Sequence, residues 1–505
     1  MRILTSSMQR EIEKRAVNTM GISFLDLTHK AAESVFSVIQ ERKLNTARTV
    51  VLCGPGGNGG DGFALSLLLD SSGAEVNVIL CSGPPKTEVP SALFRKAVSS
   101  RISVTSLEDH APFVASLLES ATLILDCAFG IGQTRELPPE LRSVFRHANE
   151  AEAFRISVDV PSGICSDSGE VMEDAFHPDL TVALIGNKPS SVLKTSRDLL
   201  GEEITADLGL PESLFSDPSF PRSMSSPSLE ALIPERGAAS HKGTYGKLSI
   251  FAGCPHYRGA AAIAAKGAYT AGAGLVELVS HPVVLSSASV LVPEAIFLDT
   301  PPLTDIIPCT ERSSAVLAGC GLEAGEETAR ITELLVKNCR NTLILDAGSL
   351  NAVAENPEIL HARPGNTILT PHLGEFSRIT GISVDNLRKD RIGQAVRFAQ
   401  RYHVTLVLKS ENTVVATENG AFWVDTGGSP GLAKAGSGDL LAGLISGLAA
   451  TGLNPENAAV AGVMIHSAAS LLTERDTGVY SMTATSVARH VPDVLSQLHS
   501  QRRTP

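Results

Sequence analysis

What this 505-residue sequence lacks narrows its reading first. It holds no run of 18 consecutive apolar residues. The Ala/Gly-rich segment 260–278 carries Lys266 and Glu277, so it reads as a helix with its following strand rather than a membrane span. The first 25 residues carry charges throughout, with no apolar stretch of the signal-peptide kind. A basic face is missing as well: the net charge of −12 has the wrong sign for a nucleic-acid groove. The eight cysteines (Cys53, Cys81, Cys127, Cys165, Cys254, Cys309, Cys320 and Cys339) form no C-x-x-C pair. Three sit in apolar strand-like runs, which suits reduced core thiols better than disulfides or zinc ligands. Aromatics make up only 4% while glycines number 43, a composition for α/β layers packed by small residues. The glycine-rich stretch 426–443 is neither a Walker A loop nor a G-x-G-x-x-G turn. A soluble, cytoplasmic protein of two to three domains is expected from this length.

What is present is a series of strand-like runs that end in polar or glycine-rich turns. Residues 8–39 show helical periodicity, with Glu11, Lys14 and Arg15 on the charged side. The strand 49–53 runs into G-P-G-G-N-G-G-D-G at 54–62, and a helix is expected from about Asp61. Strand, glycine turn, helix is an arrangement that puts a phosphate or polar ligand at the carboxyl end of a parallel sheet. Strands at 76–80, 123–125 and 156–158 alternate with helical stretches, and two of them end in Asp126-Cys-Ala-Phe-Gly-Ile-Gly132 and Asp159-Val-Pro-Ser-Gly163. Asn58, Asp126 and Ser162 thus all fall just past strand ends, which converge on one crevice in a doubly wound sheet. Oxygen donors without thiolate or imidazole suit a hard cation such as K⁺ or Mg²⁺. Singly, each is also an ordinary turn or cap residue. Three such turns in one sheet favour a site.

Residues 211–228 are rich in Ser and Pro and lack periodicity, as a linker would. The pattern then resumes: 241–253 leads a strand into a glycine turn, further strands fall at 275–279, 315–318, 342–345, 367–369 and 404–408, and a small-residue helix at 259–273. The stretch 426–443 reads T-G-G-S-P-G-L-A-K-A-G-S-G-D-L-L-A-G. Ala435, Gly436, Ser437 and Gly438 let backbone N–H groups approach an anion at a helix N-terminus, and Asp439 falls in the first turn. A carboxylate there repels phosphate, so a neighbouring hydroxyl is its expected partner. Taken alone, His372 reads better as an ordinary surface or capped histidine, but its setting in Thr370-Pro-His-Leu-Gly-Glu375, just past a strand, shifts that toward a site. Lys409 points a cation at phosphates or lies solvated beside a hairpin.

In order along residues 1–210, N-G-G-D-G, D-x-x-F-G-x-G and D-V-P-S-G resemble the NAD(P)H-hydrate epimerase domain. That resemblance implies a Rossmann-like fold that interconverts R and S forms of hydrated NADH and NADPH with a bound K⁺. Carried over, Asn58, Asp126 and Ser162 hold the potassium. Gly57, Asn58, Gly59, Gly60 and Asp61, then Gly130, Ile131, Gly132, Gln133, Thr134, Arg135 and Glu136, contact the dinucleotide together with Asp159, the expected acid/base. Gly57 stands where the family has a further Asn, Thr28-His29 replaces Met-Glu, and Cys165 stands where it has an Asp. Across 229–505, H-K-G-x-x-G, G-A-G-L, T-P-H-x-G-E, K-x-x-x-T and A-G-S-G-D-L-L-A-G resemble the ribokinase-like ADP-dependent NAD(P)H-hydrate dehydratase. This implies that ADP, with Mg²⁺, phosphorylates the hydrate's hydroxyl, that phosphate is eliminated, and that AMP and NAD(P)H are left. Asp439 is then the general base, while Ala273, Gly321 and His372 hold the hydrate. Lys409, Ser410, Glu411, Asn412, Thr413, Ser429, Ala435, Gly436, Ser437 and Gly438 surround the nucleotide. In Asp346-Ala-Gly-Ser-Leu-Asn351, Gly348 stands where the family has a second Asp.

The expectation is therefore a two-domain α/β enzyme, each domain a mostly parallel sheet flanked by helices: 1–210 epimerase, 211–228 linker, 229–505 dehydratase. NADHX or NADPHX and ADP are its small-molecule partners, and a homo-oligomer is expected. The alternative is a small-molecule kinase of the ribokinase class with a non-catalytic N-terminal binding module. A stable phosphorylated product would mark the kinase, and Asp159→Ala without effect on the R epimer would mark the module.

Overall fold

The computed structural model describes residues 2–215, 222–223, 228–237, 239–363 and 365–502. They divide into two compact units, Met1–Ser223 and Met224–Pro505. The division falls inside 211–228, of which 216–221 and 224–227 lie outside the described residues.

Seven strands build the N-terminal sheet: β1 Arg48–Cys53, β2 Glu75–Leu80, β3 Ser103–Ser106, β4 Leu123–Cys127, β5 Phe154–Val158, β6 Leu180–Leu184 and β7 Glu202–Ala206. Their order is β3-β2-β1-β4-β5-β6-β7 and every pairing is parallel. The order reverses between β1 and β4, which opens a crevice outside their carboxyl ends. β4 is buried at all five positions, as expected for a central parallel strand with helices on both faces. The edge strands β3 and β7 carry polar residues on their exposed faces, and neither shows an apolar run in the sequence.

The helical stretch 8–39 is two helices, α1 Ser6–Met20 and α2 Phe24–Glu41. Gly21 takes the left-handed conformation at φ 68°, and Ser23 with Asp26 closes a capping box that starts α2 afresh. Helix α3 spans Gly57–Ser71 and begins four residues before the expected Asp61, so Asn58 lies in its first turn. A Cβ at Gly59 would meet the Gly54 oxygen at 1.9 Å, so glycine there lets the first turn press onto the end of β1. Helices α4 Glu88–Val98, α5 Leu107–Ser120 and α6 Pro139–Glu150 complete this unit's longer helices.

In the C-terminal unit, nine strands among the described residues are β8 Lys247–Phe251, β9 Leu275–Ser280, β10 Ile296–Asp299, β11 Ala315–Ala318, β12 Thr342–Leu345, β13 Thr367–Leu369, β14 Thr405–Leu408, β15 Val414–Ala416 and β16 Ala421–Val424. They run in the order β10-β9-β8-β11-β12-β13-β14-β15-β16. Pairings are parallel from β10 to β14 and antiparallel at β14–β15 and β15–β16. This order also reverses, between β8 and β11. Around the sheet pack α7 Arg258–Thr270, α8 Pro282–Leu291, α9 Glu326–Asn338, α10 Ala347–Glu355, α11 Leu373–Thr380, α12 Arg391–Tyr402, α13 Ser437–Ala450, α14 Pro455–Thr477 and α15 Ala484–Arg502. Every residue of α13 from Leu440 to Ala450 is buried. Cβ atoms at Gly443 and Gly447 would strike the Ala264 and Ala268 oxygens at 2.2 and 2.5 Å, so α7 and α13 cross backbone to backbone. No helix among the described residues is long and apolar enough to cross a membrane.

Candidate functional site

Each unit collects polar side chains at the reversal point of its sheet. In the N-terminal unit, Asn58 comes from the first turn of α3, Asp126 from β4, and Asp159 and Ser162 from the turn after β5. The Asn58 Nδ2 donates to the Phe129 oxygen at 2.6 Å and to the Val158 oxygen at 3.1 Å. Its Oδ1 is buried and has no hydrogen-bond partner. The Ser162 hydroxyl donates to Asp126 Oδ1 at 2.6 Å and accepts the Phe129 N–H at 2.9 Å, while the Ser162 N–H donates to Asp126 Oδ2 at 2.7 Å. Asn58, Asp126 and Ser162 are thereby joined through the backbone of Phe129. Burial pushes the Asp126 carboxyl up to about 6, against the pull of its hydrogen bonds from Ser162 and Ala128.

Asp159 is held at φ 73°, a left-handed backbone that non-glycine residues adopt at a cost. Its Oδ1 accepts the Lys188 ammonium at 2.5 Å and the Leu184 N–H at 3.2 Å. Lys188 is 1% exposed and spends its other protons on the Leu184 and Gly186 oxygens, at 2.9 and 2.7 Å. One oxygen of Asp159 is therefore pinned. The other, Oδ2, lies 3.4 Å from where a side chain on Gly130 would begin. A cavity of about 720 Å³ opens here, lined by Gly57, Asn58, Asp61, Asp159 and the chain from Gly130 to Gln133, with Arg10 and Glu13 of α1 opposite. Burial, then the nearby Asp159 and Glu13 charges, holds the Asp61 carboxyl well above its usual range; Glu13 is raised mainly by burial.

Gly59 and Gly60 are buried beneath this wall, and Thr134, Arg135 and Glu136 are exposed beyond it. Glu136 instead faces Arg142 at 3.4 Å. Lys188, Arg10 and Glu13 were missed from the sequence. The one signal for Lys188 is a lysine just after an apolar strand; α1 shows only amphipathic periodicity.

In the C-terminal unit the cluster centres on Asp346, which follows β12. Its Oδ1 accepts Lys409 Nζ and the Thr370 hydroxyl, both at 2.8 Å, and its Oδ2 accepts the Cys320 thiol at 3.5 Å. Burial opposes the Asp346 charge, but Lys409 beside it and the donated hydrogen bonds more than offset this, so its carboxyl sits below the usual range. Burial likewise opposes the Lys409 charge, and Asp346 and Glu375 outweigh it, which raises the ammonium. Lys409 is thus a largely buried ion-pair partner, and Nζ sits 3.2 Å from where a Gly438 side chain would begin. Gly436 caps α13 at φ 89° and Asp439 is in its first turn. Donor atoms of Cys320, Asp346 and Asp439 lie within 4.8 Å of one another. Burial, then repulsion by Asp346, pushes the Asp439 carboxyl up to about 6.

His372 caps α11: its Nδ1 accepts the Gly374 and Glu375 N–H groups at 3.0 and 3.2 Å, while its own N–H donates to Glu375 Oε2 at 2.8 Å. Gly321 follows β11, and a Cβ there would meet Ala260 at 2.6 Å. In the turn after Lys409, Arg391 of α12 binds the Ser410 hydroxyl at 2.8 Å and Glu411 at 2.7 Å. Asn412 is buried and donates to the Asp425 oxygen, and Thr413 opens β15 from the same turn. Ser429 is buried against Ser470, whereas Ala435 is exposed.

Ala273 is not brought to this cluster. It lies at the amino end of β9, where the following Gly274 and Leu275 donate to the Tyr245 and Gly246 oxygens. Gly272 neighbours Thr451 at the far end of α13. A 14-residue helix separates that end from Asp439 by roughly 20 Å. Helix α7 runs back from the carboxyl edge of the sheet, so its end cannot return there; its start, near Tyr257 and Ala260, lies by Gly321.

Two family models match the chain: YjeF-related protein N-terminus over residues 25–190, and NAD(P)H-hydrate dehydratase over residues 248–493. Among curated relatives, the bifunctional NAD(P)H-hydrate repair enzyme of Thermofilum pendens is 31% identical over 99% of this chain and 97% of its own. Those of Coxiella burnetii and Escherichia coli are 33% and 32% identical, over 97% and 95% of this chain and 99% and 91% of theirs. A solved ADP/ATP-dependent NAD(P)H-hydrate dehydratase from Bacillus subtilis, co-crystallised with ATP/Mg²⁺, is 29% identical with a TM-score of 0.48, covering 54% of this chain and 97% of that one. With both units matched and relatives aligned along nearly its whole length, the chain belongs to the family of bifunctional NAD(P)H-hydrate repair enzymes.

Proposed function

We propose that the N-terminal unit epimerises R- and S-NAD(P)HX and that the C-terminal unit dehydrates the S form at the expense of ADP, releasing AMP and phosphate. The observation that carries this reading is the pair of carboxylates, Asp159 and Asp439, each set at the reversal point of its own sheet beside a lysine-bearing cluster.

In the N-terminal unit, the hydrate carries its hydroxyl next to a ring nitrogen. Asp159 assists departure of that hydroxyl and its return on either face, with Lys188 fixing one carboxylate oxygen and leaving the other for the substrate. Gly57, Asn58, Asp61 and the chain from Gly130 to Gln133 line the space for the dinucleotide. A potassium ion fits Asn58, Asp126 and Ser162, because Asn58 Oδ1 is a buried oxygen without a partner and the donors are all oxygens. When bound, it supplies positive charge that draws the turns after β1, β4 and β5 together.

In the C-terminal unit, Asp439 takes the proton of the hydrate's hydroxyl as that oxygen attacks the terminal phosphoryl group of ADP. The Gly436, Ser437 and Gly438 amides at the start of α13 receive the charge on the transferred group. Phosphate then leaves far more readily than hydroxide. Lys409 holds Asp346 and sets the cation against the glycine turn; Ser410 to Thr413 and Ser429 border the nucleotide, and Gly321 and His372 the hydrate. Asp439 and Asp346 would offer carboxylate oxygens to a magnesium ion bound with the nucleotide phosphates, which would offset their negative charge.

Chemically hydrated NADH, incubated with the protein and ADP and followed by NADH absorbance, tests both halves. Complete recovery is expected. Recovery of the S fraction alone removes the epimerase, and no recovery removes the dehydratase; the R-to-S ratio followed by chromatography without ADP then decides the epimerase.

A further inference from the structure

The cavity beside Asp159 must take a dinucleotide whose diphosphate is anionic, yet its charged wall is mostly acidic: Glu13, Asp61, Glu88 and Asp159. Among the described residues that line it, Arg10 is the one Lys or Arg. Lys188 lies behind the wall, already committed to Asp159. Arg10 stands on the same face of α1 as Gln9 and Glu13 and forms none of the ion pairs among the described residues. Its Nη2 lies 3.6 Å from where a side chain on Gly132 would begin, so the guanidinium lies against the glycine-bearing turn after β4. Two residues earlier in that turn, Gly130 abuts the free oxygen of Asp159. Two residues of chain span at most about 7 Å. The acid/base and the cation thus flank the same short strip of backbone, within the reach of one dinucleotide.

We infer that Arg10 is the phosphate-binding residue of the N-terminal site, and that α1, outside the matched segment 25–190, is part of its substrate wall. This rests on the epimerase reading of that unit. Guanidinium forks match phosphate oxygens in a bidentate, charge-assisted contact, which lysine reproduces only as a point charge.

The test is Arg10→Ala and Arg10→Lys in the full chain, assayed on R-enriched NADHX and NADPHX with ADP. Arg10→Ala should raise the KM for the R epimer about tenfold or more, with kcat within about twofold, and flatten the salt dependence of KM. Arg10→Lys should recover part of the loss, and conversion of the S epimer should be unaffected. An equal loss on both hydrates assigns the diphosphate, and a loss confined to NADPHX assigns the extra ribose phosphate. Unchanged KM for both hydrates, with the wild type active, overturns the inference. Should the wild type fail to convert the R epimer, the epimerase reading falls, and calorimetric titration with NADPH then decides: one binding site weakened in Arg10→Ala sustains the phosphate role, and identical isotherms refute it.

Discussion

Replacing Asp439 by Asn should abolish dehydration and at the same time stabilise the protein. Burial, then the neighbouring Asp346 charge, pushes the Asp439 carboxyl from its ordinary 3.8 up to about 6. That difference of roughly two units corresponds to about 3 kcal/mol at about 1.36 kcal/mol per unit. A carboxyl raised in the folded state contributes its stability below the unfolded pKa, and that contribution is lost as the pH climbs through the folded value. Ionised Asp439 therefore weighs against folding above about pH 6, and the neutral amide of the Asp439→Asn variant carries no such charge. Thermal melts of both full-length proteins without nucleotide should show the Asn variant ahead by roughly 1–3 kcal/mol near pH 8, and this lead should shrink by about 1.4 kcal/mol toward pH 5. At about 2–4 °C per kcal/mol for a domain of this size, the lead is about 2–12 °C near pH 8. Asp126, raised to a similar value, is present in both proteins and cancels. The wild-type rate on the S epimer should fall about tenfold per unit below about pH 6, as a base that must be ionised requires. An Asn variant that melts below the wild type, or a lead that is the same at both pH extremes, refutes the assignment of a strained, ionised base at this position.

Lys409→Met should leave Asp346 buried without its partner, at a loss of about 3–5 kcal/mol in denaturant melts; a loss under about 1 kcal/mol would show that the pair is not structurally buried. Asn58→Ala should remove any rise in melting temperature that potassium chloride gives over sodium chloride, and a rise that persists would take the ion elsewhere. Gly59→Ala should cost at least about 1–3 kcal/mol, because its methyl meets the Gly54 oxygen at 1.9 Å, and near-native stability would mean α3 starts later than Gly57.

By itself the sequence determined most of the inner strands, the turns that end them, and a helix with Asp439 in its first turn, because buried parallel strands are apolar runs and glycine turns punctuate them. Edge strands β3, β7 and β10 left no such trace, since half of each faces outward; the buried apolar runs of β6, β15 and β16 were not read as strands either. Nor did linear order reveal that Lys188 pins Asp159, that Asp346 is the partner of Lys409, or that Arg10 reaches across to Gly132. Those pairs are 29, 63 and 122 positions apart; nearby strand ends in one parallel sheet bring the first two together, and the placing of α1 over the turn after β4 brings the third. Ala273 shows the converse: a motif residue in good sequence order was carried by its helix to the wrong edge of the sheet. Composition and periodicity fix what a segment is; which side chains share a site depends on where three-dimensional packing turns the chain around.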